Sequence, residues 1–199
     1  MSDMKKFTFD ASGNVTAMYE VKGNKLKSES IANTTFVTES GTYTSGATGI
    51  VEVTATKIGR GKTETHVYDD PDGDGRFVET FELEVASTAL VRESYKFDIT
   101  NNTVVTAYEQ SKRGWKVDRI DSDESYSVVT VGTDTFVVKT EKEYRGAEFD
   151  VYVDRDGDGQ WAKIAEGETK GDFLNLDGSV DLVGIATAGL LAPAAVVTV

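Results

Sequence analysis

Apolar and polar side chains alternate along most of this chain, with a period of two residues. Between residues 77 and 85, one face is made of Phe77, Phe81, Leu83 and Val85 and the opposite face of Thr80, Glu82 and Glu84. A period of two is typical of half-buried antiparallel strands, and helical periodicity is nearly missing before the C-terminal tail. Short segments that contain Gly or Asn, such as residues 11–14 and 145–147, separate the alternating stretches and favour tight hairpins. The pattern therefore predicts an all-β fold.

An internal repeat is the second pattern. The sequence VYDDPDGDG at 67–75 returns in the second half of the chain as VYVDRDGDG at 151–159. Earlier in each half the dipeptide FD occurs at 9–10 and 97–98, followed by YE at 19–20 and 108–109. Because the matches keep one order and the spacing drifts only slightly, we interpret the chain as two tandem copies of one module.

The repeat sets the predicted domain organisation. Residues 1–90 form a first β repeat and residues 91–170 a second, each ending in an Asp-Gly loop, and residues 171–199 form an apolar C-terminal tail. No Pro/Ser-rich linker separates the copies, so we expect two antiparallel β-meander modules packed together. The sequence leaves open whether the strands make a sandwich, a barrel or one continuous sheet.

Composition narrows the function classes. Among 199 residues, 34 are acidic and 21 basic, which gives a formal net charge of −13. Nucleic acids and anionic membranes need clustered Lys and Arg, so this charge argues against both and favours divalent cations. Cysteine is absent, which excludes disulfides and thiolate metal sites. The single histidine, His66, excludes multi-histidine zinc sites and is expected to be a half-exposed strand residue, with Asp150 as its repeat equivalent.

The strongest chemical signal is the pair of loops DPDGDG at 70–75 and DRDGDG at 154–159. Calcium binds six to eight oxygens at about 2.3–2.6 Å, and alternate residues of a tight loop point inward together. Glycine at the sixth position allows the sharp bend, and the seventh position supplies a backbone carbonyl. The predicted ligands are Asp70, Asp72, Asp74 and Arg76 in the first loop and Asp154, Asp156, Asp158 and Gln160 in the second. The sequence thus predicts two Ca²⁺ ions.

In their first half the loops resemble the calcium loops of EF-hand proteins. That family places a bidentate Glu at position 12, where this chain has Phe81 and Ala165, and it flanks the loop with helices where this chain has strand patterns. Glu82 and Glu166 follow at position 13 and are the predicted closing ligands, with Glu79 as an alternative in the first copy. The other interpretation is an ordinary Asp-Gly turn that binds no metal. Selectivity between calcium and lanthanides is open.

The last residues, 182–199, carry no charged side chain. They are interpreted as a packed terminal element, an export signal or a membrane span. Gly184, Gly189 and Pro193 and the lack of flanking Lys or Arg argue against the span. The chain also resembles bacterial proteins exported by type I secretion, which are acidic, cysteine-free and calcium-binding, lack an N-terminal signal and carry an uncleaved C-terminal one. The closing sequence VVTV at 196–199 fits that resemblance, which implies an extracellular or cell-surface location. The alternative is cytoplasmic.

These features favour a protein that is not an enzyme. No phosphate-binding Gly-rich loop or serine nucleophile elbow is present, and no catalytic residue or organic cofactor is predicted. The resulting hypothesis is a secreted calcium-binding β-protein with a structural, adhesive or matrix-binding role, whose partner is a polysaccharide or a cell-surface protein. The alternatives are an intracellular or periplasmic metal buffer or sensor, and a calcium-dependent hydrolase with paired carboxylates. The sequence does not indicate an oligomeric state.

Overall fold

The structure, a computed structural model, describes residues 4–87 and 91–191. Within these residues the chain forms fourteen β-strands and one short α-helix, and neighbouring strands run antiparallel. The predicted all-β fold is confirmed. The chain divides into two compact units, Met1–Glu82 and Leu83–Val199, and the boundary falls inside the seventh strand.

The fourteen strands form one antiparallel sheet, and the first unit holds its first seven strands. These are β1 (Met4–Phe9), β2 (Val15–Lys22), β3 (Lys25–Glu29), β4 (Thr34–Thr42), β5 (Thr48–Ile58), β6 (Lys62–Asp69) and β7 (Phe77–Ala86), which continues past the unit boundary. Their order across the sheet is β4-β5-β6-β7-β1-β2-β3. Hairpins connect consecutive strands from β1 to β3 and from β4 to β7, as the turn residues predict. Strand β1 also pairs with β7, with Lys5 opposite Phe77.

The sheet of the first unit is strongly curled. Strands β1 and β4 are four places apart in the order, which in a flat sheet corresponds to about 19 Å. The ring of Phe7 on β1 nevertheless lies 6.2 Å from that of Phe36 on β4, measured between centroids. Phe7 also packs edge-on against Tyr68 and Phe77, at 5.6 and 5.2 Å. The curled sheet therefore encloses an aromatic core of its own.

The second unit has the same arrangement. Its complete strands are β8 (Glu93–Thr100), β9 (Thr103–Ser111), β10 (Gly114–Asp118), β11 (Glu124–Val131), β12 (Asp134–Glu143), β13 (Gly146–Val153) and β14 (Trp161–Thr169). Their order, β11-β12-β13-β14-β8-β9-β10, matches that of β4-β5-β6-β7-β1-β2-β3 strand for strand. Phe97 on β8 lies 5.7 Å from Tyr126 on β11, so this sheet curls as the first one does.

The two cores use equivalent positions of the repeat. The first core contains Val53, Tyr68 and Phe77, and the second contains Val137, Tyr152 and Trp161, which follow at the same offset as the two Asp-Gly loops. Matching strand orders and matching core positions support a tandem duplication, which itself stays a prediction.

Part of the apolar tail packs into the second unit. Helix α1 (Leu182–Thr187) begins after Asp181, whose carboxylate accepts a hydrogen bond from the backbone N–H of Gly184 at 2.9 Å. Leu182, Ile185 and Leu191 are buried. Residues 192–199, which carry the predicted C-terminal export sequence, lie outside the described residues. In the described part of the chain, no helix has the length and apolar character needed to cross a membrane.

Candidate metal centres

The first Asp-Gly loop joins β6 to β7 and is organised around the carboxylate of Asp70. This carboxylate accepts hydrogen bonds from the backbone N–H groups of Gly73, Asp74 and Gly75, at 2.9, 3.2 and 2.9 Å. Gly73 and Gly75 have φ angles of 75° and 79°, a left-handed region that side chains with a Cβ rarely adopt. The Asp-Gly alternation of the sequence therefore forms a compact loop closed by its own hydrogen bonds.

Neighbouring elements of the first unit hold this loop in place. The N–H of Thr44 donates to the carbonyl of Pro71 at 2.9 Å, and the N–H of Asp70 donates to the carbonyl of Val51 at 2.9 Å. A Cβ added to Gly73 would lie 2.7 Å from the ring of Tyr43, so this ring packs directly on the loop. Asp70 is only 2% exposed. The loop is thus supported from outside as well as by its own hydrogen bonds.

The carboxylates of Asp70, Asp72 and Asp74 converge, with one oxygen of each within 4.8 Å of the others. Burial raises the pKa of Asp70 and a hydrogen bond with Asp72 adds to this, although the backbone N–H groups of Gly75, Gly73 and Asp74 oppose the shift. Like charges this close repel by about 1 kcal/mol per pair at 4 Å, even at the dielectric constant of water. A bound cation would remove that repulsion, so the arrangement is suited to a divalent ion.

The second loop, between β13 and β14, has the same backbone conformation. The carboxylate of Asp154 accepts from the N–H groups of Gly157 and Gly159 at 2.8 and 2.9 Å, as Asp70 does from the equivalent glycines. Asp156 accepts from the N–H of Asp158 at 3.2 Å, and Asp158 from that of Gln160 at 2.7 Å. Corresponding bonds of 3.2 and 2.7 Å occur in the first loop.

The second loop differs in the carboxylates that converge. Asp156 and Asp158 lie within reach of a common ion together with Glu93, a residue of β8 that the sequence analysis missed. The pKa of Glu93 is raised by its partial desolvation and by the negative charges of Asp156, Asp158 and Asp154. Glu93 lies at the start of the second repeat, whereas the loop lies near its end. No local spacing signal could have found it, because only the pairing of β8 with β14 brings it to the loop.

The other predicted ligands have different neighbours. Arg76 donates its backbone N–H to Asp74 at 2.7 Å, and Gln160 donates a second, side-chain bond to Asp158 at 2.6 Å. Glu166 accepts a hydrogen bond from the ammonium of Lys163 at 2.6 Å. Among the described residues, Glu82 is grouped with His66 and Glu79 rather than with the three Asp of the first loop. The closing ligands of both loops therefore stay predictions.

His66 belongs to a third cluster, at the wall of the curled first sheet. Its Nδ1 lies 2.7 Å from Oε1 of Glu79, and Glu82 lies within reach of the same point. The histidine side chain is 24% exposed and that of Glu79 is 10% exposed, which agrees with the expected half-exposed strand position for His66. Burial lowers the pKa of His66, but the hydrogen bond to Glu79 and the charges of Glu79, Glu82 and Glu64 raise it by more. The sequence pattern gives no signal for this pairing of His66 with Glu79, because the two residues lie on different strands.

Comparison of the chain with protein-family models, with curated proteins and with solved structures gives no match in any of the three.

Proposed function

We propose that this protein binds calcium in its two Asp-Gly loops, that the ions stabilise its two β units, and that it acts outside the cell in a structural, adhesive or matrix-binding role without catalysis. Calcium binding is supported by two loops at equivalent positions of the repeat that have the same hydrogen-bonded conformation. In each loop, carboxylate oxygens lie close enough together to bind one ion. Oxygen-only ligands are the set that Ca²⁺ prefers.

Titration calorimetry of calcium-stripped protein is the test of this proposal. We expect two calcium sites per chain, with the first loop binding more tightly than the second. Each loop carries one arginine, Arg76 or Arg155, so the expected difference comes from rigidity. Asp70 is buried and the ring of Tyr43 packs on Gly73, whereas Asp154 is half-buried and none of the described residues lies against Gly157. Ligand charge and rigidity of the site both tune calcium affinity.

The substitutions Asp72→Asn and Asp156→Asn form a matched pair for assigning the two sites. Asparagine keeps an oxygen that can accept the N–H of Asp74 or Asp158, so the loop conformation is maintained while one negative charge is removed. Asp72→Asn should weaken the tighter phase and Asp156→Asn the weaker one. The opposite result would reverse the order of the sites, and no heat from the unsubstituted protein at millimolar calcium would refute calcium binding.

Export is supported by the sequence alone, through the acidic, cysteine-free composition and the apolar tail. The expected result is that the full chain, expressed in a bacterium with a type I secretion system, appears in the culture supernatant. A chain without residues 192–199 should stay inside the cells, and its calcium affinity serves as the control for folding. Equal amounts of both chains in the supernatant, or both inside the cells, would contradict export through this tail.

A further inference from the structure

We propose that the third cluster, His66, Glu79 and Glu82, is a separate site in the first unit for a divalent transition-metal ion of the Zn²⁺ type. One donor atom from each of these residues lies within 4.8 Å of the other two. An imidazole nitrogen with two carboxylates suits zinc and similar borderline ions, whereas calcium takes oxygen ligands. The site therefore differs in chemistry from the two Asp-Gly loops.

The backbone fixes the three side chains on adjacent strands. His66 is on β6, and Glu79 and Glu82 are on the neighbouring β7. Glu79 lies on the buried face of β7 and Glu82 on its half-buried face, and a carboxylate oxygen of each nevertheless comes within 4.8 Å of the other and of a ring nitrogen of His66. The ring of His66 also stacks on that of Tyr68, with centroids 6.0 Å apart and an angle of 21° between the planes. The ring of His66 is thus held by its surroundings.

In the second unit a β-bulge brings the equivalent residues together. Tyr152 pairs with Lys163 and Val151 with Ala165, so one extra residue on β14 makes a β-bulge. The bulge places Lys163 and Glu166, which have the same spacing as the two glutamates, on one face of the strand. These two residues are the repeat equivalents of Glu79 and Glu82, and Asp150 is the equivalent of His66.

This equivalent trio already contains a cation. The ammonium of Lys163 lies 3.2 Å from Asp150 and 2.6 Å from Glu166, between the two carboxylates. In the first unit the position of that lysine is taken by the carboxylate of Glu79, and the third residue is an imidazole, whose charge is not permanent. The fold thus keeps a cation at this position in one unit, and in the other it presents two carboxylates and a metal-binding nitrogen. The proposal therefore rests on the donor set of the trio in the first unit and on its contrast with the lysine-filled trio of the second unit.

A cavity beside the three residues gives a metal ion both room and access. All three residues line one cavity of about 480 Å³ in the first unit. The three lysines that line the same cavity have carboxylate partners outside the trio. Lys5 pairs with Glu29 at 2.8 Å, Lys27 with Glu20 at 3.8 Å and Lys57 with Glu64 at 3.7 Å. Three protein ligands beside an open cavity leave a coordination position for water or a small ligand.

The test is calorimetric titration of Zn²⁺ into the full chain at neutral pH, with millimolar calcium present to occupy the loops. We expect one zinc ion per chain. His66→Asn and Glu79→Gln should each weaken zinc binding by at least about tenfold, since loss of even an outer-shell partner costs this much. The matched control is Asp150→Asn, the repeat equivalent of His66→Asn, which should leave zinc affinity unchanged, and the circular-dichroism melting curve of every variant reports on its folding.

A second measurement does not depend on any variant. The chain has one histidine, so its ring gives a single set of imidazole NMR resonances. Zn²⁺ should shift these resonances in proportion to occupancy, and Co²⁺ should shift and broaden them, while Ca²⁺ should leave them in place. Histidine resonances that do not respond to zinc, or zinc affinity that survives His66→Asn and falls with Asp72→Asn, would overturn the proposal.

Discussion

Adding a chelator to the calcium-loaded protein should lower its melting temperature by about 10–20 °C, because for a chain of this size each kcal/mol of stability corresponds to about 2–4 °C. An ion that binds only the folded loop stabilises the fold by about 2.7 kcal/mol when its free concentration is one hundred times the dissociation constant, so two such sites contribute roughly 5 kcal/mol. The effect is large because each loop joins two strands of a curled sheet, so that repulsion between its carboxylates loosens the hairpin.

A thermal melt followed by circular dichroism at matched ionic strength measures this shift. Readdition of millimolar calcium should restore the original curve, and the same concentration of magnesium should restore much less, because Mg²⁺ keeps its waters and binds fewer carboxylates. If the melting curves with chelator and with calcium coincide, both loops are ordinary turns that bind no stabilising ion.

The substitution Phe7→Ala should destabilise the first unit by about 3–5 kcal/mol, the cost usually found when a buried phenylalanine is truncated. Phe7 is 5% exposed, and its ring meets those of Phe9, Phe36, Tyr68 and Phe77 at centroid distances of 5.2–6.3 Å. These rings come from β1, β4, β6 and β7, so the cavity left by the substitution removes the contacts that hold the sheet curled.

Denaturant unfolding of the calcium-saturated protein is the appropriate measurement, because it keeps the metal contribution constant. The control is Tyr144→Ala, an aromatic truncation at a side chain that is 92% exposed, which should change the free energy of unfolding by less than about 0.5 kcal/mol. If Phe7→Ala unfolds at the same denaturant concentration as Tyr144→Ala, the ring cluster is not the core of the first unit.

The strands could be predicted from the sequence because each has a local signal. Strand β7 alternates between buried and half-buried positions, as Phe77, Phe81, Leu83 and Val85 indicate. The pairing of β1 with β7 could not be predicted, since it joins the first and last strands of the repeat and depends on how the whole sheet curls. Hairpin turns fix the register of adjacent strands only.

The candidate sites also differ in whether they could be predicted from the sequence. The Asp-Gly loops could be located from one short run of consecutive residues, and their hydrogen bonding follows from Asp and Gly at fixed positions. Glu93 and the cluster of His66 could not, because they depend on strand pairing that brings residues distant in the sequence together. Glu79 shows the difference most clearly, since it is an acidic residue on a buried face, 8% exposed, next to the single histidine.

A crystal structure of the protein grown with millimolar calcium tests the central claim most directly. We predict an ion in each Asp-Gly loop, with oxygens of Asp70, Asp72 and Asp74 at about 2.3–2.6 Å from the first and oxygens of Asp154, Asp156 and Asp158 at the same distance from the second. Anomalous scattering identifies the ions as calcium, and the coordination shell identifies the closing ligands. Loops that hold only water under these conditions, with the hydrogen bonds of Asp70 and Asp154 unchanged, would contradict calcium binding.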